Sequence, residues 1–213
     1  MNKPATTVDR PLLLVISAPS GAGKTTLCHR LLREFPVMDY SISCTTRPPR
    51  AGERDGHDYY FLTPEEFRRC SESSGLLEEA EVHGYAYGTP RQPVEKALRA
   101  GRDVLMDIDV QGADRIRRLI SCEPDSLLAR AYVDVFVMPP SMEELRCRLE
   151  SRGKDSPDVI ERRLANAARE MQARGEYQYV VINDDLERAY DELRDIVLTE
   201  RRRPVGDIHR ASN

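Results

Sequence analysis

Apolar positions along this chain fall into two kinds of pattern. Four short runs are apolar almost throughout: Leu12–Leu13–Leu14–Val15–Ile16, Asp103–Val104–Leu105–Met106–Asp107, Tyr132–Val133–Asp134–Val135–Phe136–Val137–Met138 and Tyr179–Val180–Val181–Ile182–Asn183. Runs this short, without regular polar alternation, predict strands covered on both faces of a parallel sheet. The stretches between them place apolar residues three and four apart. Thr25–Glu34 does so with Leu27, Leu31 and Leu32, and Pro93–Ala100, Val110–Ile120, Ser141–Glu150, Pro157–Ala173 and Leu186–Glu200 are the further predicted helices. Capping-box pairs stand at Thr63 with Glu66 and at Ser141 with Glu144. Strands and helices in alternation predict an α/β fold on a parallel sheet.

Two intervals break the rhythm. Tyr40 to Pro90 is rich in Gly, Pro and Tyr, and its strand candidates, Tyr59–Leu62 and Leu76–Val82, are short and polar. It is expected to be a small α+β insertion on the sheet's edge that carries binding groups. Arg146 to Arg163 is dense in arginine and interrupted by Gly153 and Asp155–Ser156–Pro157. Helix, flexible loop and helix make a mobile lid. The expected organisation is a single domain over 1–213, with a core at about 11–40, 90–140 and 174–200. The insertion takes about 41–90 and the lid about 141–173, leaving polar, loosely held ends at 1–10 and 201–213.

Composition narrows the function. Among 213 residues, 32 are Lys or Arg and 36 are Asp or Glu, a net charge of −4. That balance argues against a nucleic-acid partner, which calls for net positive charge or a basic domain, yet allows small anionic ligands. Nearly all the basic residues are arginine; the lysines are Lys3, Lys24, Lys96 and Lys154. Five scattered cysteines without a C-x-x-C pair predict neither a disulfide framework nor a zinc site. The start MNKPATTVDR lacks an apolar core, and no run approaches the roughly eighteen apolar residues of a membrane helix. The expectation is a cytoplasmic protein with no membrane partner.

One of those lysines lies in a glycine-rich turn. Ala18–Pro19–Ser20–Gly21–Ala22–Gly23–Lys24–Thr25 follows G-x-x-x-x-G-K-[ST], with alanine at the first glycine. Between a buried strand and a helix, backbone N–H groups of such a loop curl round phosphate oxygens, with Gly21 and Gly23 supplying the unusual conformations. Lys24 then reaches the β- and γ-phosphates, Thr25 can ligate Mg²⁺, and the helix N-terminus adds its dipole. A second candidate ends the next buried run, where Asp107 and Asp109, two apart, share one side of a strand facing the ligand crevice. Asp107 suits Mg²⁺ through a water molecule. The bland alternative is a helix N-cap and an exposed acid.

The loop, Ser41–Glu53 (SISCTTRPPRAGE), Gly56–Phe61 (GHDYYF) and Asp107–Gly112 (DIDVQG) together resemble guanylate kinase, collinear from about Leu12 to Glu200. The resemblance implies a phosphate-loop kinase of α/β fold with ATP and GMP as substrates and Mg²⁺ as cofactor. It implies ATP binding at 18–25, Thr26 and Asn183, although Asn183–Asp184–Asp185 reads equally as a turn and helix cap. Arg47 and Arg50 form a two-guanidinium clamp suited to a phosphate monoester, joined by resemblance by the hydroxyls of Tyr59 and Tyr87.

Guanine offers N1–H and N2–H₂ donors beside the O6 acceptor, so a carboxylate accepts from it and repels the N1 lone pair of adenine. Glu78 and Glu79 are both candidates, and similarity to the family points to Glu78, with Ser43 and Thr89 at O6 and Asp109 as a second acceptor. By resemblance, Arg148, Arg152 and Arg163 join Lys24 as the catalytic cations, closing over the triphosphate. Two rivals remain. A partner-binding module of this family would lack Lys24 and Thr25, and a kinase of phosphorylated sugars has no use for Glu78 with Ser43.

Overall fold

Strand β1 (Leu13–Ser17) is buried at every position because both of its faces are covered. On one side Leu14 and Ile16 pack with Leu27 and Leu31 of α1 (Lys24–Glu34) and with Leu193 and Val197 of the C-terminal helix. On the other, Leu13 and Val15 meet Val94, Leu98, Ile116 and Leu128. The computed structural model describes residues 9–204, apart from 83, 152 and 154.

After β2 (Met38–Tyr40), the chain leaves the main sheet for β3 (Cys44–Thr45), β4 (Tyr60–Phe61), α2 (Pro64–Glu72), β5 (Leu76–Val82) and β6 (Tyr85–Pro90). It returns through α3 (Arg91–Arg99), β7 (Asp103–Asp107), α4 (Val110–Cys122), α5 (Leu127–Ala131) and β8 (Tyr132–Met138). Helices α6 (Met142–Ser151) and α7 (Pro157–Glu170), a 3-10 turn at Met171–Glu176, β9 (Tyr179–Ile182) and α8 (Leu186–Arg202) complete it. The main sheet runs β2-β7-β1-β8-β9 and is parallel throughout. Such a sheet places its ligand crevice at the carboxyl ends of its strands, where β1 and β7 lead into α1 and α4.

The predicted strands and helices of the core are present to within a few residues. Four expectations need correction. The run at Tyr179–Asn183 is not covered on both faces, because β9 is an edge strand of the main sheet and leaves Val180 and Ile182 exposed. The insertion is no extension of the main sheet's edge; it forms its own four-stranded sheet, β4-β3-β6-β5, mostly antiparallel. Helix α2 lies against it with the full Thr63–Glu66 capping box, burying Phe67 over Gly88, where a Cβ would stand 3.3 Å from the ring. The helix expected to reach Ala173 ends at Glu170 and tightens into the 3-10 turn.

The chain ends are also held further than their polarity suggests. Arg10 is buried, its Nε donating to the carbonyl of Glu200 at 2.8 Å and its guanidinium pairing with the Glu200 carboxylate. Arg201 still lies in α8 and donates through Nε to Asp103 at 2.8 Å. In the expected lid, α6 and α7 close on a seam of their own made by Leu145, Leu149, Ile160 and Leu164.

Candidate functional site

The glycine loop bridges β1 and α1 in the conformation its composition demands. Gly21 and Gly23 have φ of 99° and 97°, in the region closed to most side chains. Gly21 also admits the lid, since a Cβ there would stand 2.9 Å from Leu145 and 3.0 Å from Leu149 of α6. Against Gly23 lies Asn183, a buried amide that donates to the carbonyl of Ala22 at 2.7 Å. The helix cap that follows is Asp185, which accepts from the Arg188 N–H at 3.0 Å. Asn183 is therefore part of the loop's support rather than a cap.

Lys24 opens α1 and turns its ammonium to the carboxylate of Asp107 and the carbonyl of Ile108, the latter at 3.0 Å. Thr25 and Thr26 are exposed on the first turn. From the lid, Arg163 donates to the Ser20 hydroxyl at 2.7 Å and pairs with Asp155. Arg148 donates to Glu144 and to the carbonyl of Asn183, both at 2.9 Å. Two lid arginines thus stand at the loop, and Arg152 lies outside the described residues. Arg146, by contrast, faces outward and pairs with Glu161 at 2.6 Å.

The insertion contributes the other half of the crevice. Arg47 is 8% exposed, donating to the carbonyl of Pro48 at 2.7 Å and to both oxygens of Glu53 at 2.8 and 3.0 Å. Its guanidinium stands 5.5 Å from the Tyr59 ring, whose edge meets Tyr87 at 6.0 Å. Bonding to Glu53 first, and then to Tyr87, raises the Arg47 pKa, so the cation is permanent. Arg50 is exposed, but its backbone N–H donates to the same Glu53 carboxylate at 2.7 Å. Glu53 therefore ties both clamp positions together. It closes the TTRPPRAGE run, yet pattern alone gave it no task, because a loop glutamate has many uses.

Across the insertion's sheet, Glu78 accepts from the Thr89 hydroxyl at 2.8 Å. Burial pushes its carboxyl up and the neighbouring Asp109 charge adds to this, while the Thr89 hydrogen bond and then the Arg115 charge oppose it. Asp109 caps α4 by accepting from the Gly112 N–H at 2.8 Å, so the capping role and a place in the crevice coexist. Ser43 is half-buried in the insertion, its carbonyl accepting from the Tyr60 N–H at 2.9 Å. Sequence reasoning missed Glu170 at the end of α7: burial and Asp109 raise its carboxyl while Lys24 and the Ser20 backbone lower it. Burial pushes the thiols of Cys28 and Cys44 up to about 12, which removes them as nucleophiles.

The crevice thus joins a phosphate-binding loop, cations on both flanks, and a carboxylate–hydroxyl pair suited to a purine edge. Comparison with known proteins agrees with this geometry. The guanylate kinase family model matches residues 10–200. The guanylate kinase of Nitratidesulfovibrio vulgaris is 51% identical over 193 residues, covering 91% of this chain and 89% of that protein. That of Desulfitobacterium hafniense is 48% identical over 190 residues, covering 89% and 90%. The solved guanylate kinase from Anaplasma phagocytophilum shares 34% identity at a TM-score of 0.68, covering 92% of this chain and 89% of that one. The chain belongs to the guanylate kinase family, the nucleoside monophosphate kinases that pass a phosphoryl group from ATP to GMP.

Proposed function

We propose that the transfer from ATP to GMP divides between two sets of residues. The loop 18–25 with Thr26 and Asn183 takes the triphosphate of ATP, and Arg47, Arg50, Tyr59 and Tyr87 hold the phosphate of GMP. Glu78 and Asp109 accept from the guanine N1–H and N2–H₂, with Ser43 and Thr89 beside O6. A GMP phosphate oxygen, already anionic, attacks the γ-phosphorus in line and needs no general base. The new O–P bond forms as the bond to the β-γ bridging oxygen breaks, and ADP leaves with the electron pair. Lys24, Arg148, Arg152 and Arg163 stabilise the charge that spreads over the transferring group. Closure of the lid excludes water that would otherwise take the phosphoryl group.

The Thr25 hydroxyl and the Asp107 carboxylate, on either side of Lys24, fit Mg²⁺, which takes one or two protein oxygens and completes its shell from water and phosphates. When bound, the metal neutralises phosphate charge; Thr25 would ligate it and Asp107 would orient one of its waters.

The observation that carries this reading is the β7–α4 junction. Two residues apart, Asp107 pairs with the loop lysine while Asp109 faces Glu78, so the phosphate and base subsites share one turn of chain. Small nucleotides rather than nucleic acid are the partners, consistent with the net charge of −4. A cytoplasmic location accords with the absence, among the described residues, of any helix long and apolar enough to cross a membrane. The test is an ADP-release assay across GMP, dGMP, AMP, CMP, UMP and ribose phosphates. Turnover is expected with GMP and dGMP; comparable turnover with AMP or a ribose phosphate would overturn the base-reading assignment.

A further inference from the structure

Glu78 meets α4 where that helix begins. Its Oε2 stands 3.3 Å from the point that a Cβ on Gly112 would occupy, so the carboxylate approaches the helix where a side chain would crowd it. Arg115 follows three residues later, on the same face of α4. It lines, with Glu78 and Glu79, a cavity of about 400 Å³ between β5 and α4. Its Nη1 is buried and finds no hydrogen-bond partner among the described residues. A guanidinium nitrogen left so is costly, and a neighbouring anion is the compensation that such a charge requires. The groups facing Glu78 are Asp109 and Arg115 of α4, Glu79 of β5, the Thr89 hydroxyl of β6 and the Cys44 thiol of β3. The cations lining this cavity are Arg115 and Arg118, and Arg118 is exposed and already paired with Asp114 at 2.7 Å.

We propose that Arg115 is a positioning residue for guanine recognition, its unpartnered guanidinium facing the Glu78 carboxylate across the cavity that both line. The inference rests on the reading of Glu78 as the carboxylate that meets the base. A protonated Glu78 would turn an O–H donor toward guanine's own donors and lose one of its two acceptors. Burial first, and then the charges of Asp109 and Glu79, favour that protonated form; the Thr89 hydrogen bond and, after it, the Arg115 charge oppose them. The guanidinium touches neither the base nor the reacting phosphate; it acts through Glu78.

The test uses the full chain with Arg115→Met, which keeps the apolar stem, and Arg115→Lys, which keeps the charge. For each, kcat and KM for GMP and ATP are measured from about pH 5.5 to 8.5 and divided by the unaltered protein's values. This ratio cancels the titration of the GMP phosphate, which is common to both. Loss of the cation should raise the Glu78 midpoint, so the Arg115→Met defect in kcat/KM for GMP should grow several-fold toward the acid end and fade toward none at the alkaline end. The defect should lie in KM for GMP, with kcat within about twofold and KM for ATP unmoved. Arg115→Lys should recover most of it, and in a Glu78→Gln background Arg115→Met should add nothing.

A defect independent of pH, or one that persists in the Glu78→Gln background, overturns the proposal. So does an unaltered KM for GMP. In these cases the reading of Glu78 stands so long as Glu78→Gln itself lowers the GMP:AMP preference. If Glu78→Gln leaves that preference unchanged, the base-reading assignment fails and takes this inference with it. Should Arg115→Met not fold, a ¹³C titration of the Glu78 carboxyl in Arg115→Gln decides the matter: an upward midpoint supports the proposal, and an unmoved one ends it.

Discussion

Replacing Gly23 by alanine tests whether the phosphate loop is a shaped anion cradle or an ordinary tight turn. Two costs arise. At φ 97° an L-residue suffers the left-handed penalty of about 1–2 kcal/mol. The added Cβ would also fall onto Asn183 Nδ2, well inside the 3.0 Å that real Cβ atoms respect. Asn183 must then move, breaking its 2.7 Å bond to the Ala22 carbonyl in a buried setting, at about 1 kcal/mol more. The sum is roughly 2–3 kcal/mol, which for a chain of this length lowers Tm by roughly 5–10 °C.

Gly101→Ala is the control. Gly101 also has positive φ, 73°, but nothing lies within 4 Å of its missing Cβ, so it carries backbone strain alone. Its Tm should fall by roughly 2–8 °C, less than in Gly23→Ala, with kinetics unchanged. In Gly23→Ala, displacement of the loop by a fraction of an ångström should cost about a hundredfold in kcat/KM for ATP. Thermal unfolding and initial rates on both variants, with and without Asn183→Ala, separate the two costs. Removing the amide should relieve the collision, so that Gly23→Ala loses less Tm in that background. Equal losses in both backgrounds, or full ATP turnover by Gly23→Ala, would refute the account.

Lys24→Met should retain a normal melting profile while kcat falls by at least about 10²-fold, since the lost cation serves charge that develops on the phosphates; near-normal turnover would contradict the assignment. Arg47→Ala should chiefly raise KM for GMP and Arg148→Ala chiefly lower kcat, and identical kinetic phenotypes would contradict the division between clamp and lid. Glu53→Gln should mimic a weakened Arg47→Ala, because it removes one of the two oxygens that accept from Arg47 Nη2 and aim the guanidinium; an unaltered KM for GMP would deny it that part. Iodoacetamide near pH 8 should alkylate the exposed Cys122 and Cys147 and spare Cys28 and Cys44, whose pKa values of about 12 keep them protonated. Mass mapping of the labelled chain reads the outcome.

The features legible in the sequence share one property: their physical requirement is local. Near-continuous apolar runs announced β1, β7 and β8, because burial on both faces forbids polar alternation; β9 carries the same kind of run although it is an edge strand with Val180 and Ile182 exposed. The phosphate loop was legible because its glycines, lysine and threonine must stand at fixed spacing. What escaped was set by partners distant in sequence. β3 and β4 are two residues each, and Cys44 finds its neighbours at Tyr60 and Gly88. No periodicity exists over two residues, so the insertion's separate sheet left no local trace. Arg10 read as tail for the same reason, since its partner Glu200 lies 190 positions away. Glu170 gave no signal either, as a glutamate ending a charged helix has every reason to be solvated.

Every described cation assigned to a phosphate, apart from Arg50, is matched by a carboxylate of the chain itself: Lys24 by Asp107, Arg47 by Glu53, Arg148 by Glu144 and Arg163 by Asp155. The pairs differ in what holds the anion. Glu53 is fixed by the Arg50 backbone as well as by Arg47, and only a fifth of its side chain is exposed. Glu144 sits one turn from Arg148 on the same helix with nearly half of its side chain exposed, a geometry in which an ion pair contributes about 0.3–0.5 kcal/mol. The Arg148 pair would therefore yield more readily to a triphosphate than the Arg47 pair, which holds its guanidinium in one place. A cation held in a constant position binds ground and transition states alike and acts on KM. One that changes partner as the lid closes can reserve its charge for the transferring phosphoryl, and so acts on kcat.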